Sequence, residues 1–319
     1  MKAEFLTKVP SKSFVVGEYA VLEGGPALLA VTGECFQCSL SEFKNSEVFK
    51  PHEKSPAGGL IKIWSDSGGR IPDLFFFDPH HGRGGFGRST AEFICLSRAL
   101  QHTHSSGEFK NILESCLSLL GLESTNKFDL QNSLDLWKIY RQLHQYFDQA
   151  LPSGADVVAQ NEASKKGQLH EGFYKLQIIN NPSSIKVESV KPKNALGIKL
   201  SFFKTPWDEP THLHLKSLKN KNYKRLKEVS EEAISFFEAG ERREFVLSVS
   251  LFRKELEALN LMDTNCLKQV KELLQNEELL ASKGCGALGK DVILIVEPSH
   301  QVSKKYLSQD FKLKMQLEI

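Results

Sequence analysis

Apolar runs separated by turn residues open the chain. Phe14 to Val16 and Ala27 to Val31 are interrupted by Glu23, Gly24, Gly25 and Pro26, which predicts strand, turn and strand over Phe14–Val31. Phe36–Phe43 is predicted as a further strand, and Leu60–Trp64 with Leu74–Phe77 as a strand pair around a turn at Asp66–Pro72. Beyond a glycine-rich segment the period changes. Ala91, Ile94, Cys95, Ala99 and Leu100 recur at helical spacing, so Thr90–His102 is predicted to be a helix that starts at that segment. Helical patterns return at Phe109–Leu120 and Ser133–Ala150, and the turn Pro152-Ser153-Gly154 feeds another helix.

The second half opens with strands predicted at Gly172–Ile179 and Gly197–Lys204. Helices follow around Tyr223–Ala239, Arg242–Leu259 and Thr264–Gln275. The segment Ala281–Gly289, the strand Val292–Val296 and an alternating stretch Phe311–Ile319 close the chain. Strands and helices without a strict βαβ repeat indicate an α+β protein. With 319 residues two domains are expected, 1–170 and 171–319.

Composition removes several classes of function. Apolar residues at 40% and charged residues at 25% suit a globular core, and 41 basic against 39 acidic residues leave a formal charge of +2. That balance predicts neither nucleic-acid nor membrane binding. The short basic run Lys219–Arg225 reads as a solvated turn. No run of 18 apolar residues occurs, and the expectation is a cytoplasmic protein. The six cysteines lack a disulfide-framework spacing and are expected to be reduced thiols. Cys35 and Cys38 form a CxxC with no second pair to complete a zinc site, and in a strand they fall on opposite faces. His80 and His81, beside the glycine segment, read as exposed turn residues.

The candidate chemistry lies in the glycine segments. GRGGFGRSTAE, running from Gly82 to Glu92, has glycines that allow close backbone approach and a following helix whose first amides face an anion. Phosphate is the natural guest. A glycine linker capped by Ser89 or Thr90 is the alternative. Neither a Walker A loop nor a protein-kinase catalytic loop is present. Two further segments accompany it, VPSKSFVVGEYAVLEGGPALLAV with Lys12 and Glu18, and KGCGALGKDVILIV, together with PSGAD at Pro152–Asp156.

This ordered set resembles the GHMP kinase family, which comprises galactokinase, homoserine, mevalonate and phosphomevalonate kinases. The resemblance covers most of the chain: Pro10, Lys12, Gly17 and Glu18 in a first motif, Gly85 to Ala91 in a second, PSGAD, and Gly286 to Asp291 in a third. GEYAVLEGGPAL is most similar to the mevalonate-pathway members. Tyr19, where mevalonate kinases usually carry His, leans toward phosphomevalonate kinase. The resemblance implies a two-domain fold, with an N-terminal domain like ribosomal protein S5 domain 2 and a ferredoxin-like C-terminal domain.

It also implies ATP-dependent phosphoryl transfer to phosphomevalonate or mevalonate, with ATP and Mg²⁺ as cofactors. A kinase for a sugar or other small alcohol, or a degenerate nucleotide-binding homologue, are the alternatives. Asp156 matches the catalytic aspartate and Lys12 the lysine beside it. Gly84, Gly85, Gly87, Arg88, Ser89 and Thr90 would bind the nucleotide, and Ser89 the metal. Glu18, Tyr19, Ser153, Gly154 and Thr211 would face the substrate. The small molecule and ATP are the expected partners, with a homodimer left open. Departures are visible: Arg88 replaces a small hydroxyl residue, Leu288 and Lys290 replace glycines, and the family's glutamate metal ligand falls on Gln145. Glu92 and Asp148 are possible substitutes, with solvated helix positions as the plainer reading.

Overall fold

The computed structural model describes residues 6–82, 84–122, 129–147, 151–179, 184–207, 221–300 and 311–319. The chain divides into two compact units, one of residues 1–11, 33–82 and 87–170, the other of 12–32, 83–86 and 171–319. The boundary falls inside the first strand, β1 (Leu6–Val16), and again inside β2 (Pro26–Ser39), which pairs with it. The second unit therefore takes in two N-terminal segments besides everything after residue 170.

In the first unit the end of β2 pairs antiparallel with β4 (Phe75–Phe77), and β4 with the short β3 (Glu47–Val48). Helices α1 (Pro56–Asp66), α2 (Arg88–Thr103), α3 (Ser106–Leu119), α4 (Ser133–Tyr146) and α5 (Ala155–Ala163) complete its described elements. Phe36, Trp64, Phe76, Phe93, Trp137 and Tyr140 are buried in it.

Two strand expectations are corrected here. Leu60–Trp64 lies in α1, because Ser55 accepts a hydrogen bond from the Gly58 amide as N-cap, Pro56 opens the first turn, and Leu60, Ile63 and Trp64 are buried at helical spacing. Phe36–Phe43 is no separate strand: Phe36 to Ser39 continue β2, which ends at Ser39.

In the second unit the start of β2 pairs antiparallel with β5 (Gly172–Ile179), and β5 with β6 (Ser184–Val190), a strand that the sequence pattern does not predict. A second antiparallel sheet has the order β10-β7-β9-β8, formed by β7 (Ile198–Lys204), β8 (Ala281–Cys285), β9 (Val292–Pro298) and β10 (Lys312–Glu318). Between β7 and β8 run α6 (Lys224–Ala239), α7 (Arg242–Ala258) and α8 (Thr264–Leu273). Their apolar stripes, including Leu226, Phe237, Phe245, Phe252 and Val270, pack with Ile293, Leu294 and Ile295 into one core. Helices and antiparallel sheets segregated in this way are the expected α+β architecture. Among the described residues no helix is long and apolar enough to cross a membrane.

Candidate functional site

In the first unit the candidate site is built on two helix starts. The first residues of α2 are Arg88, Ser89 and Thr90, and its N-cap is Gly87 at φ +89° with no side-chain cap. A left-handed N-cap is natural for glycine and strained for other residues. A Cβ at Gly87 would also stand 2.7 Å from Gln160 Nε2. The capping alternative is thereby corrected: the Thr90 hydroxyl donates to the Gly87 carbonyl and to Gln160 Oε1, and Ser89 is exposed on the first turn. Free amides with no side chain across them leave this end electropositive.

Helix α5 starts in the same way, with Gly154 as a left-handed N-cap and Asp156 in the first turn. The turn before it is pinned by Trp137 Nε1 donating to the Ser153 carbonyl at 2.7 Å and Arg141 Nη1 donating to the Pro152 carbonyl at 3.0 Å. The Ser153 hydroxyl accepts from the Ala155 amide at 3.3 Å. Half-buried Asp156 accepts from the Val157 amide at 3.1 Å. Four residues on, on the same helix face, Gln160 is fully buried against Gly87 and Thr90 and donates to the Pro10 carbonyl at 2.8 Å. The face of α5 that carries Asp156 is thus the face turned to the start of α2.

Arg88 does not lie free in the loop. Its Nε donates to Glu92 Oε1 at 2.8 Å and its Nη1 to Asp78 Oδ2 at 3.2 Å, while Nη2 is 3.8 Å from Glu47 Oε1. Burial works against its charge, but the Glu92 hydrogen bond and the neighbouring carboxylates outweigh it and hold the guanidinium more firmly protonated. Burial pushes the Glu92 carboxyl up despite Arg88. Glu92 is 6% exposed, which corrects its reading as a solvated residue. Beside this cluster lies a cavity of about 580 Å³ whose walls include Asn45, Glu47, Phe76, Asp78, Gly82 and Arg88. His80 is also corrected: it is 1% exposed, and its Nε2 shares a 2.7 Å hydrogen bond with Ser11 Oγ. His81 is the exposed turn residue of the pair, at φ +54°.

In the second unit Lys12 is 7% exposed on β1, its amide donating to the Phe86 carbonyl at 3.1 Å and its ammonium 5.2 Å from the Phe14 ring centre. Gly84 and Gly85 lie on the third glycine motif. A Cβ at Gly85 would come within 2.5 Å of Val292 Cγ2 and 2.8 Å of Asp291 Cβ, so only glycine permits this approach. Lys12, Gly17 and Glu18 of the first motif, the start of the second and the third are therefore within this unit.

The Glu18 carboxylate is buried and takes its hydrogen bond from Lys283 Nζ at 2.6 Å. Lys283 also donates to the Gly284 carbonyl and approaches Cys285 Sγ at 3.3 Å. The Tyr19 hydroxyl accepts from the Leu288 amide at 3.0 Å, its ring stacked on Tyr223. Both side chains thus make internal bonds in this unit. Leu288 itself sits at φ +53°, where the family has glycine, and Lys290 forms an ion pair with Asp263 at 3.6 Å.

Thr211, His212, His214 and Asp148 lie outside the described residues. Gln145 is exposed on α4. Among the described residues no group of three or more His, Cys, Asp or Glu side chains stands ready for a metal ion, and all six cysteines are buried free thiols. Sequence reasoning missed Asp78, Gln160 and Lys283. The last two carried a signal, a polar residue one turn beyond Asp156 and a lone charge among the small residues that lead into a glycine turn.

Solved structures share this fold along nearly the whole chain. The fold is that of the GHMP kinases, α+β in class. Streptococcus pneumoniae phosphomevalonate kinase, in complex with phosphomevalonate and AMPPNP, matches with a TM-score of 0.62 at 15% identity, covering 99% of this chain and 100% of its own. Methanococcus jannaschii mevalonate kinase matches at 0.61 and 13% identity, covering 100% and 99%. Lactococcus lactis galactokinase, complexed with galactose, matches at 0.59 and 11% identity, covering 93% and 86%. No protein-family model and no curated protein sequence matches the chain.

Proposed function

We propose that the chain is an ATP-dependent kinase of a small molecule, with phosphomevalonate as the first acceptor and mevalonate as the second. The observation that carries this reading is the start of α2: a glycine loop ends in a left-handed Gly87, and no side chain caps the amides that follow. Such an end binds phosphate through backbone N–H groups and the helix dipole. The cavity beside Gly82 and Arg88 gives the remainder of a nucleotide a place next to the loop.

Phosphoryl transfer asks for positioning and charge stabilisation more than for covalent chemistry. Asp156, on the face of α5 turned to the loop, is the acceptor of the substrate proton, a role worth about 10²- to 10⁴-fold in rate. Lys12 supplies the positive charge that stabilises the transferring group. Magnesium takes one or two protein oxygens and completes its shell with phosphate and water. The Ser89 hydroxyl on the first turn of α2 fits that demand, whereas Glu92 is committed to Arg88. The ion would neutralise phosphate charge.

The test is ADP release with ATP, Mg²⁺ and each acceptor in turn. Turnover with phosphomevalonate or mevalonate is expected, and Asp156→Asn should lower it at least about 100-fold. Absence of turnover with both acceptors sinks the acceptor assignment; full activity of Asp156→Asn sinks the base. A second reading, a nucleotide-binding homologue with little turnover, draws on Leu288 held at positive φ in the third motif and on the neutral Gln145. It predicts nucleotide binding without ADP release on any acceptor, sugars included.

A further inference from the structure

One carboxylate closes the glycine loop at its base. Asp78 follows β4, and its side chain is 4% exposed. Its Oδ1 accepts the His80 amide at 2.7 Å. Its Oδ2 accepts both the Gly82 amide at 2.6 Å and Arg88 Nη1 at 3.2 Å. Gly82 and Arg88 are the two ends of the loop, so a single oxygen atom ties its entry to its exit. The turn that Asp78 holds is anchored in addition through His80 to Ser11 on β1, the residue before Lys12.

We propose that Asp78 is a positioning residue of the phosphate loop, and that Arg88 is its clasp and not a phosphate ligand. The proposal rests on the reading that this loop takes phosphate. Geometry carries it. The Arg88 fork reaches three carboxylates: Glu92, Asp78 and, at longer range, Glu47. A guanidinium held against carboxylates is strongly directional, and breaking one buried arm strands the partner charge. Held in this way, Arg88 fixes the first residue of α2, and with it the direction in which the uncapped amides point. Replacing the loop's usual small hydroxyl by arginine then strengthens its frame without placing a side chain across the phosphate position.

A double-mutant cycle on the full chain separates the clasp from a phosphate ligand. The readouts are the dissociation constant of Mg²⁺-AMPPNP and the KM for ATP against kcat. Asp78→Asn and Arg88→Gln should each weaken nucleotide binding by about tenfold, the size of one hydrogen bond to a charged group. The double variant should be no weaker than either single one, because both remove the same link. KM should rise more than kcat falls.

If Arg88 instead binds phosphate, Arg88→Gln alone weakens binding, and Asp78→Asn leaves it unchanged or tightens it by releasing the guanidinium. That outcome overturns the proposal. Amide hydrogen exchange without nucleotide gives an arm independent of the kinase reading. Asp78→Asn should speed exchange at Gly82 and Ala91 while α3 and α4 keep their protection. Unchanged exchange at the loop overturns the clasp even if the wild-type protein binds no nucleotide. Should Asp78→Asn not fold, Arg88→Lys, which keeps the charge and loses the fork, carries the exchange measurement by itself: faster exchange at Gly82 and Ala91 is expected, and unchanged exchange overturns the clasp.

Discussion

Gly87→Ala tests the packing that fixes the start of α2. Two costs add. The backbone at Gly87 has φ +89°, and a residue with a Cβ pays about 1–2 kcal/mol in a left-handed conformation. The new methyl would also stand 2.7, 2.8 and 2.9 Å from Nε2, Oε1 and Cδ of Gln160. Gln160 is fully buried and cannot yield without loosening its bond from Thr90 or its 2.8 Å bond to the Pro10 carbonyl. Stranding a buried amide group costs about 1–3 kcal/mol. Together the two come to about 2–5 kcal/mol.

Gly68→Ala isolates the first cost: Gly68 has φ +82°, a methyl added there would meet nothing within 4 Å, and the residue belongs to the same unit. It should cost only about 1–2 kcal/mol. Urea unfolding followed by tryptophan fluorescence reads both, since the buried Trp64 and Trp137 lie in that unit. Equal destabilisation by the two variants would refute the contact with Gln160.

Three other outcomes are expected. Lys283→Met leaves the Glu18 carboxylate buried without its partner and should destabilise by about 3–5 kcal/mol, with Glu18→Gln in the same chain restoring much of it in urea titrations. Burial raises the Tyr19 phenol well above its ordinary value, so its contribution to stability is complete below about pH 10 and is lost as pH rises toward the folded value. Tyr19→Phe should accordingly flatten the fall in stability above about pH 10, and an unchanged pH slope contradicts this placement. Burial also raises the thiols of Cys95, Cys116, Cys266 and Cys285, which lowers their thiolate fraction. A chromogenic disulfide at neutral pH should label the native protein slowly and all six cysteines after denaturation; rapid native labelling contradicts the buried placement.

What the sequence made legible follows from the range of the forces involved. Helix α2 was readable because its apolar spacing and the glycines before it are local, and β5 because its run is bounded by turn residues. Leu60–Trp64 misled for a local reason too: a short apolar run fits a strand or a buried helix, and the deciding features were the cap Ser55 and Pro56. Burial of polar groups is a different matter. Glu92 and His80 look solvated in a one-dimensional reading because their partners, Arg88 and Ser11, are chosen by the fold.

The same limit shapes the candidate site. Motif order marked the loop, yet only the three-dimensional arrangement gives each departure its weight. Arg88, expected from the sequence to bind the nucleotide, has its charge answered by Asp78 and Glu92. Leu288 has no comparable relief: it occupies a left-handed position that costs a residue with a side chain about 1–3 kcal/mol. Of the three substitutions in the glycine motifs, Arg88, Leu288 and Lys290, the strained one is Leu288 in the third motif, whose amide holds Tyr19. Loss of function in this chain, where it occurs, should therefore be sought at Leu288 before Arg88.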